Sequence, residues 1–579
     1  MHRAILPWLL FVLLAPSPAQ AQPAPGGASG RVERLPVAAH RFIAVTANPH
    51  ATDAAYAILK RGGSAVDAAI AAQLVLGLVE PQSSGIGGGA FMLVHDARRS
   101  RLVAYDGRET TPAAATPGRF LNADGTPMTF PDAVASGLSV GVPGVLRMLE
   151  LAHRRHGRLA WAELFAPAIA LADGGFRVSP RLAALIAADR HLKANPRASA
   201  YFFDADGRPL AAGALLANPA YAATLRAIAR GGADAFYRGP IAEDIVAAVR
   251  AHPARPGDLA LADLAGYRAI EREPVCGSYR RHRVCGMPPP SSGGTTVLAI
   301  LGMLEPYDVA SMGAASFWGV HFMSEAGRLA YADRNAFVAD PAFVDVPGGI
   351  VDRDYLRERS REIRATATLS RATAGDPPTE RARKAAYAPA GAAELPSTSH
   401  LSIVDARGDA VAMTTSVEDA FGARLMTAGG FLLNNQLTDF SFEPAVGSRP
   451  VANRVEPGKR PRSSMAPTIV YDPAGRVAFV VGSPGGSAII NYVAKAIVAA
   501  IDWRLDPQAA VALPNFGSRN GPTELEQGTS VAGLADRLRA LGHDVSVLPL
   551  VSGAGAIART RDGWAGGADP RREGAVRGE

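Results

Sequence analysis

The sequence predicts an α+β fold in one large domain, and three observations carry that prediction. Apolar residues recur at helical spacing before residue 340, as in Ala55, Ile58, Leu59, Val66, Ala69, Ile70 and Leu74. Short β-type runs crowd the region after residue 398, at 401–404, 410–414, 431–433, 468–470 and 477–481. No internal repeat divides the 579 residues, and 48% of them are hydrophobic types, enough for a large shared core.

Taken in order, residues 1–21 have the build of a secretory signal. Arg3 supplies the positive start, Leu9 to Leu14 the apolar stretch, and Ala19-Gln20-Ala21 a small-x-small cleavage site before Gln22. That stretch is too short to anchor in a bilayer, and no later run of about 18 uncharged apolar residues exists. The expectation is an exported protein, periplasmic or secreted, without a membrane anchor. Residues 22–38 are rich in Pro, Gly and Ala and are expected to be flexible. A helix is predicted over 51–78 with a break at Gly62-Gly63, then strands at 91–94 and 102–105. Residues 145–270 read as largely helical, punctuated at Gly174-Gly175, Gly231-Gly232 and Pro256-Gly257. A hairpin over 276–285 ends in Pro288-Pro289-Pro290-Ser291-Ser292-Gly293-Gly294, which caps a helix running to Leu304. Another helix is predicted from Phe317 to Phe337. Residues 365–396 have weak periodicity and read as an exposed linker open to processing. After the β-runs come helices over 488–503 and 534–541, and the tail beyond Gly563 is expected to be mobile.

Composition excludes several functions. The net charge of +7 is scattered, with no Lys/Arg-dense run and no interleaved aromatic series, so a nucleic-acid partner is not predicted. Gly85-x-Gly87-x-x-Ala90 has a helix before it and a strand after it, the reverse of a dinucleotide site. The twelve His are dispersed, without zinc-type spacing, so neither a metal nor a cofactor is predicted. Cys276 and Cys285 flank the predicted hairpin. An oxidising compartment would favour a disulfide, but the sequence leaves two free thiols equally open.

Chemistry enters at Leu395-Pro396-Ser397-Thr398-Ser399-His400. By itself this is a polar turn leading into a strand. A Thr hydroxyl is a weak nucleophile in mid-chain, but cutting the bond before Thr398 would place an α-amine beside it as a base. Such an amine has a reference pKa of about 7.7–8.0 and is partly neutral near pH 7. Gly485-Gly486, just before a predicted helix, leaves two backbone N–H groups bare to face an oxyanion, although alone it reads as an ordinary turn.

The company these residues keep is more specific. Glu80 to Phe91, Asp106-Gly107-Arg108-Glu109, Ala412 to Glu418, Phe431 to Phe440, Pro457 to Thr468 and Gly482 to Ser487 occur with Thr398 in one order. Over about residues 40–560 this resembles the γ-glutamyltranspeptidase (glutathione hydrolase) family of N-terminal nucleophile hydrolases. The resemblance implies a four-layer αββα sandwich and self-cleavage between Ser397 and Thr398. It implies a large subunit, 39–397, and a small one, 398–579, paired as a heterodimer. Thr398 would be the nucleophile, Ser416 the hydroxyl that orients it, and Gly485 and Gly486 the oxyanion donors. Arg108, Ser463 and Ser464 would hold the donor carboxylate, and Glu418, Gln436 and Asp439 the donor ammonium. Glutathione or a similar γ-glutamyl donor is the implied substrate, with water, amino acids or dipeptides as acceptors. Some members carry Asn and Thr where this chain has Glu418 and Ser416. Residues 440–462 lack a Tyr, which predicts a more open donor site than a lidded one. Two other readings stand beside it: an acylase of the same family acting on glutaryl-β-lactams or poly-γ-glutamate, and a non-catalytic periplasmic binding protein.

Overall fold

The computed structural model describes residues 33–378, 387–389 and 397–579. Alternation along its strands decides the layering, because successive side chains leave a strand on opposite faces. Ala44, Met92, Val94, Leu401 and Ile403 pack with helices Pro49–Lys60 and Ala65–Val79 in one apolar cluster. Ile43, Val45, Phe91, Leu93 and Val404, on the opposite face, pack against a second sheet and its helices Gly293–Leu304, Phe317–Phe337 and Ile489–Ile501. The result is helix, sheet, sheet, helix, the αββα sandwich that the resemblance implies.

Both sheets have seven antiparallel strands. The first runs Ala575–Gly578, Ile43–Thr46, Ser397–Val404, Ala410–Glu418, Gly89–Asp96, Arg101–Gly107, Ile270–Arg272. The second runs Val37–Ala39, Trp564–Ala568, Gly555–Arg559, Val477–Gly482, Thr468–Tyr471, His282–Gly286, Val275–Tyr279. In each, strands from before residue 397 lie beside strands from after it. A cut at that point would therefore leave two pieces sharing one core. Among the described residues no helix is long and apolar enough to cross a membrane.

Local chemistry sets the elements that reach the site. Ser64 and Asp67 form a reciprocal cap at the start of Ala65–Val79: Ser64 Oγ accepts from the Asp67 N–H (3.0 Å) and Asp67 Oδ2 from the Ser64 N–H (2.8 Å). The helix Phe317–Phe337 has the predicted bounds. Ser292 stands at the N-cap of Gly293–Leu304, but its hydroxyl makes no cap; it donates to the Ser463 carbonyl (2.7 Å), bracing a site segment instead. Cys276 and Cys285 face each other across the hairpin and are bonded (S–S 2.07 Å), which settles the alternative that the sequence leaves open.

Four expectations need correction or limits. The tail beyond Gly563 is not loose, for Trp564–Ala568 and Ala575–Gly578 each add a strand to a sheet. Its glycines mark close packing: a Cβ on Gly566 would meet Val576 Cγ1 at 2.6 Å, and one on Gly567 the Gln508 backbone at 2.5 Å. Residues 431–433 form only isolated bridges, Gly87 with Leu433 and Met426 with Leu432. The flexible segment predicted to end at residue 38 gives way earlier, since Val37–Ala39 pairs with Trp564–Ala568; the signal and residues 22–32 lie outside the described residues. The start of the predicted linker is anchored as well. Glu325 accepts from Thr368 Oγ1 (2.7 Å) and the Leu369 N–H (2.6 Å), and Asp333 from the Gly375 N–H (2.8 Å). Residues 379–386 and 390–396 lie outside the described residues.

The paired tail yields a test. Ending the chain at Arg561 would strip an edge strand from the first sheet and an inner strand from the second. The truncated protein is expected to be insoluble or to lose cooperative thermal unfolding. An unchanged melting temperature would show that the two strands do not support the sandwich.

Candidate active site

Thr398 lies at the start of an inner strand, where the ladder is irregular. Ser397 faces Glu418 and Ser399 faces Thr415, so the partner strand spends one extra residue there. Glu418 takes up the bulge at φ 81°, a left-handed conformation that a Glu side chain rarely adopts. Around this bulge the hydroxyls converge. Thr398 Oγ1 donates to the Ser397 carbonyl at 2.6 Å, and Ser416 Oγ donates to the same oxygen at 2.9 Å. The two hydroxyl oxygens are 3.3 Å apart. Ser416 Oγ accepts from the Glu418 N–H at 2.8 Å, which fixes the lone-pair side of that hydroxyl and turns its proton toward residues 397–398. The carbonyl before Thr398 is thus polarised by two donors.

Nine of the residues singled out from the sequence line one pocket: Arg108, Thr398, Ser416, Glu418, Gln436, Asp439, Ser463, Ser464 and Gly486, with Met465 and Ile489. They arrive from separate elements. Arg108 follows the strand Arg101–Gly107, and Gln436–Asp439 is a single 3-10 turn. Ser463 and Ser464 lead into Thr468–Tyr471, and Gly486 opens the turn before Ile489–Ile501. Gly485 sits one residue behind the lining. Gly485 and Gly486 have φ 139° and 57°, and a Cβ on Gly485 would strike Tyr492 Cε2 at 2.6 Å, so the turn needs glycine. A far larger cavity of about 740 Å³, lined by His191, Arg197, His252, Arg255 and Leu425, holds no comparable nucleophile.

Opposite charges meet inside the pocket. Arg108 Nη2 donates to Asp439 Oδ2 at 2.5 Å, and Gln436 Nε2 donates to the same oxygen at 2.7 Å. Arg108 is held from behind by the carbonyls of Pro461 (3.1 Å) and Arg462 (2.7 Å). Glu418 accepts from Asn435 Nδ2, and Ser464 Oγ accepts from Arg334 Nη2 at 2.7 Å. Asn453 clamps the base of the segment 440–462, accepting from the Arg462 N–H (2.9 Å) and donating to the Asp439 carbonyl (2.7 Å). The sequence assigns no role to Asn435 or Arg334 and does not foresee the Arg108–Asp439 pair. Asn435 lies inside the motif Phe431 to Phe440, whereas Arg334 reads only as one polar position on a long helix.

One trio of metal-type ligands occurs among the described residues, His321, Glu325 and His543. Its atoms are already engaged. His321 Nδ1 and His543 Nε2 are 2.8 Å apart, His321 Nε2 lies 2.8 Å from the Arg364 carbonyl, and Thr523 Oγ1 lies 2.7 Å from His543 Nδ1. This is a hydrogen-bonded pin between segments, and burial pushes the His543 imidazole down to about 4.

Comparison with known proteins gives the family. The family model described as Gamma-glutamyltranspeptidase matches residues 51–579. The chain is 37% identical to a glutathione hydrolase proenzyme of Escherichia coli K12, over 96% of this chain and 95% of that one. It is 36% identical to the acylase ACY 1 proenzyme of Pseudomonas sp. SE83, over 94% and 95%. The solved cephalosporin acylase of Bacillus halodurans superposes with a TM-score of 0.83 at 27% identity, covering 95% of this chain and 98% of its own.

Glu109, next to Arg108, gives the site a pH signature. It is fully buried, neither carboxylate oxygen has a hydrogen-bond partner among the described residues, and Arg108 Nη1 is 3.8 Å away. Burial raises its pKa to about 8, against the pull of Arg108. Between the usual carboxylate range and pH 8 the folded chain therefore binds a proton that the unfolded chain has lost, so stability falls at this group as pH rises. Glu109→Gln removes that dependence. Its gain in melting temperature over the parent is expected to be larger at pH 9 than at pH 5, and an equal gain at both would show that Glu109 is ionised throughout.

Proposed function

This chain belongs to the gamma-glutamyltranspeptidase family, and we propose that it is an exported precursor that cuts itself between Ser397 and Thr398 and then acts on γ-glutamyl donors such as glutathione. The observation that carries the donor reading is the Arg108–Asp439 pair, with Glu418, in the pocket of Thr398. A γ-glutamyl head bears a carboxylate and an ammonium on one carbon. Arg108, Ser463 and Ser464 suit the first, and Asp439, Gln436 and Glu418 the second, so a bound donor would complete an alternating set of charges. The disulfide supports export, since such bonds persist in oxidising compartments.

In maturation Thr398 Oγ1 attacks the Ser397 carbonyl carbon. The peptide C–N bond breaks, the nitrogen takes the proton, and the acyl group rests on Oγ1 as an ester. Water hydrolyses that ester, leaving a Ser397 carboxylate and a free Thr398 α-amine. Residues up to 397 and from 398 onward stay together as a heterodimer, because their strands alternate in both sheets. In turnover the α-amine takes the hydroxyl proton while Oγ1 attacks the donor γ-carbonyl. The N–H groups of Gly485 and Gly486 face the oxyanion. The leaving amine departs with the proton, and the γ-glutamyl ester passes to water or to the amine of an amino acid or dipeptide.

A second reading, an acylase taking glutaryl donors, is favoured by the high TM-score to the Bacillus halodurans cephalosporin acylase and by the ACY 1 relative. A glutaryl group has no ammonium and would leave Asp439 and Glu418 without a ligand partner, which disfavours it. A non-catalytic binding protein would have no need to split.

Two measurements test this. On a denaturing gel the purified protein is expected to show fragments near ~39 and ~19 kDa from mean residue mass, the smaller starting at Thr398. Thr398→Ala should remain one chain, and a parent protein that stays whole would sink the mechanism. For donor choice, Asp439→Asn is expected to cost about 2–4 kcal/mol in kcat/KM on a γ-glutamyl anilide. The matching glutaryl anilide should lose nothing and gain from the release of Arg108. Equal losses on both substrates would turn the assignment toward the acylase.

A further inference from the structure

Arg572 is a buried cation that the fold does not neutralise. It lies in the turn between Trp564–Ala568 and Ala575–Gly578 and is 2% exposed. Its Nη1 donates to the carbonyl of Thr398 at 2.9 Å, while Nε and Nη2 have no hydrogen-bond partner among the described residues. A guanidinium buried with one carbonyl for company is costly. Burial, with repulsion from Arg181, lowers its pKa to about 9, so it still carries its charge at neutral pH. Room for it is deliberate: a Cβ on Gly553 would strike Arg572 Cδ at 2.6 Å.

The nearby acids Glu80 and Asp569 attract Arg572, but each has another partner. Glu80 Oε2 holds Arg181 Nη1 at 2.6 Å. Asp569 holds Arg571 (3.0 Å) and the Ser552 hydroxyl, and Glu573 accepts from the Arg181 N–H (3.1 Å). Tyr492, from the helix Ile489–Ile501, is pushed further into its neutral form by burial. On the pocket side Thr398 shares its surroundings with Glu418, Asp439 and Arg108.

We propose that Arg572 is a positioning residue that keeps the α-amine of mature Thr398 neutral, so that it can accept the hydroxyl proton at neutral pH. This rests on the self-cleavage reading above. The carbonyl oxygen and the α-nitrogen of one residue flank the same Cα, which places the Arg572 charge within about 6 Å of the amine. A free α-amine, with its reference pKa of about 7.7–8.0, would be mostly protonated at pH 7, with only the minor neutral share able to act as a base. A fixed like charge at that range disfavours the ammonium by about one unit. Glu418 and Asp439 pull the other way until a donor ammonium occupies them, so the effect is to be read with donor bound.

The test is the pH dependence of acylation at saturating γ-glutamyl p-nitroanilide, read from the first turnover of mature enzyme. The acid limb of the parent is expected below about 7.5, under the reference range. Arg572→Lys, which keeps the charge, should hold the limb near that of the parent. Arg572→Gln should move it up by about one unit, with the rate recovering toward the parental plateau near pH 9. A parental limb at or above 8 overturns the proposal by itself, even where Arg572→Gln fails to mature. A loss in Arg572→Gln that is equal at every pH also overturns it and leaves Arg572 as a structural tie. A parent chain that never splits at residue 398 overturns the reading beneath it, which the denaturing gel separates from the other outcomes.

Discussion

The arrangement at the Ser397 carbonyl is the contact on which the rest of the molecule depends. Two hydroxyl donors reach one oxygen only because the strand Ser397–Val404 is clamped between Ile43–Thr46 and Ala410–Glu418, with the irregularity falling opposite Thr398. A regular ladder would pair Thr398 evenly and turn Ser416 off that oxygen. Every layer behind the strand serves to hold this register, from the capped helix Ala65–Val79 to the small-residue strands at the chain's end.

Charge placement is the second constraint. Arg108, Glu109 and Arg572 are all buried, and each keeps at least one polar atom with no hydrogen-bond partner among the described residues. Arg108 and Asp439 pair with each other in the pocket of Thr398. Glu109 sits behind them with a carboxyl that burial keeps protonated into the neutral range, so it leaves the Arg108 charge available. Such groups lower stability where they stand, and the two large apolar clusters on either face of the first sheet offset that cost.

Much of this was legible in the chain itself. Periodicity gave the helix Phe317–Phe337 to the residue and placed both strands that meet at Thr398, because apolar periodicity is a local signal. The tail was misread because Gly566 and Gly567 look like punctuation, whereas they are small to let Val576 and Gln508 approach. The run 431–433 was misread because apolar content does not say whether a neighbouring strand is there to pair with it.

By itself the sequence, through its resemblance to the γ-glutamyltranspeptidase family, named Thr398, Ser416, Arg108, Asp439 and the paired glycines as candidates for one site. Only the tertiary structure decided what those residues do to one another. That Arg108 grips Asp439, that the Glu109 carboxylate has no hydrogen bond among the described residues, and that Arg572 reaches the Thr398 carbonyl from 174 positions away are facts of long-range packing. Burial and charge pairing depend on distances that close when the sheets stack, and no local pattern in a chain encodes them.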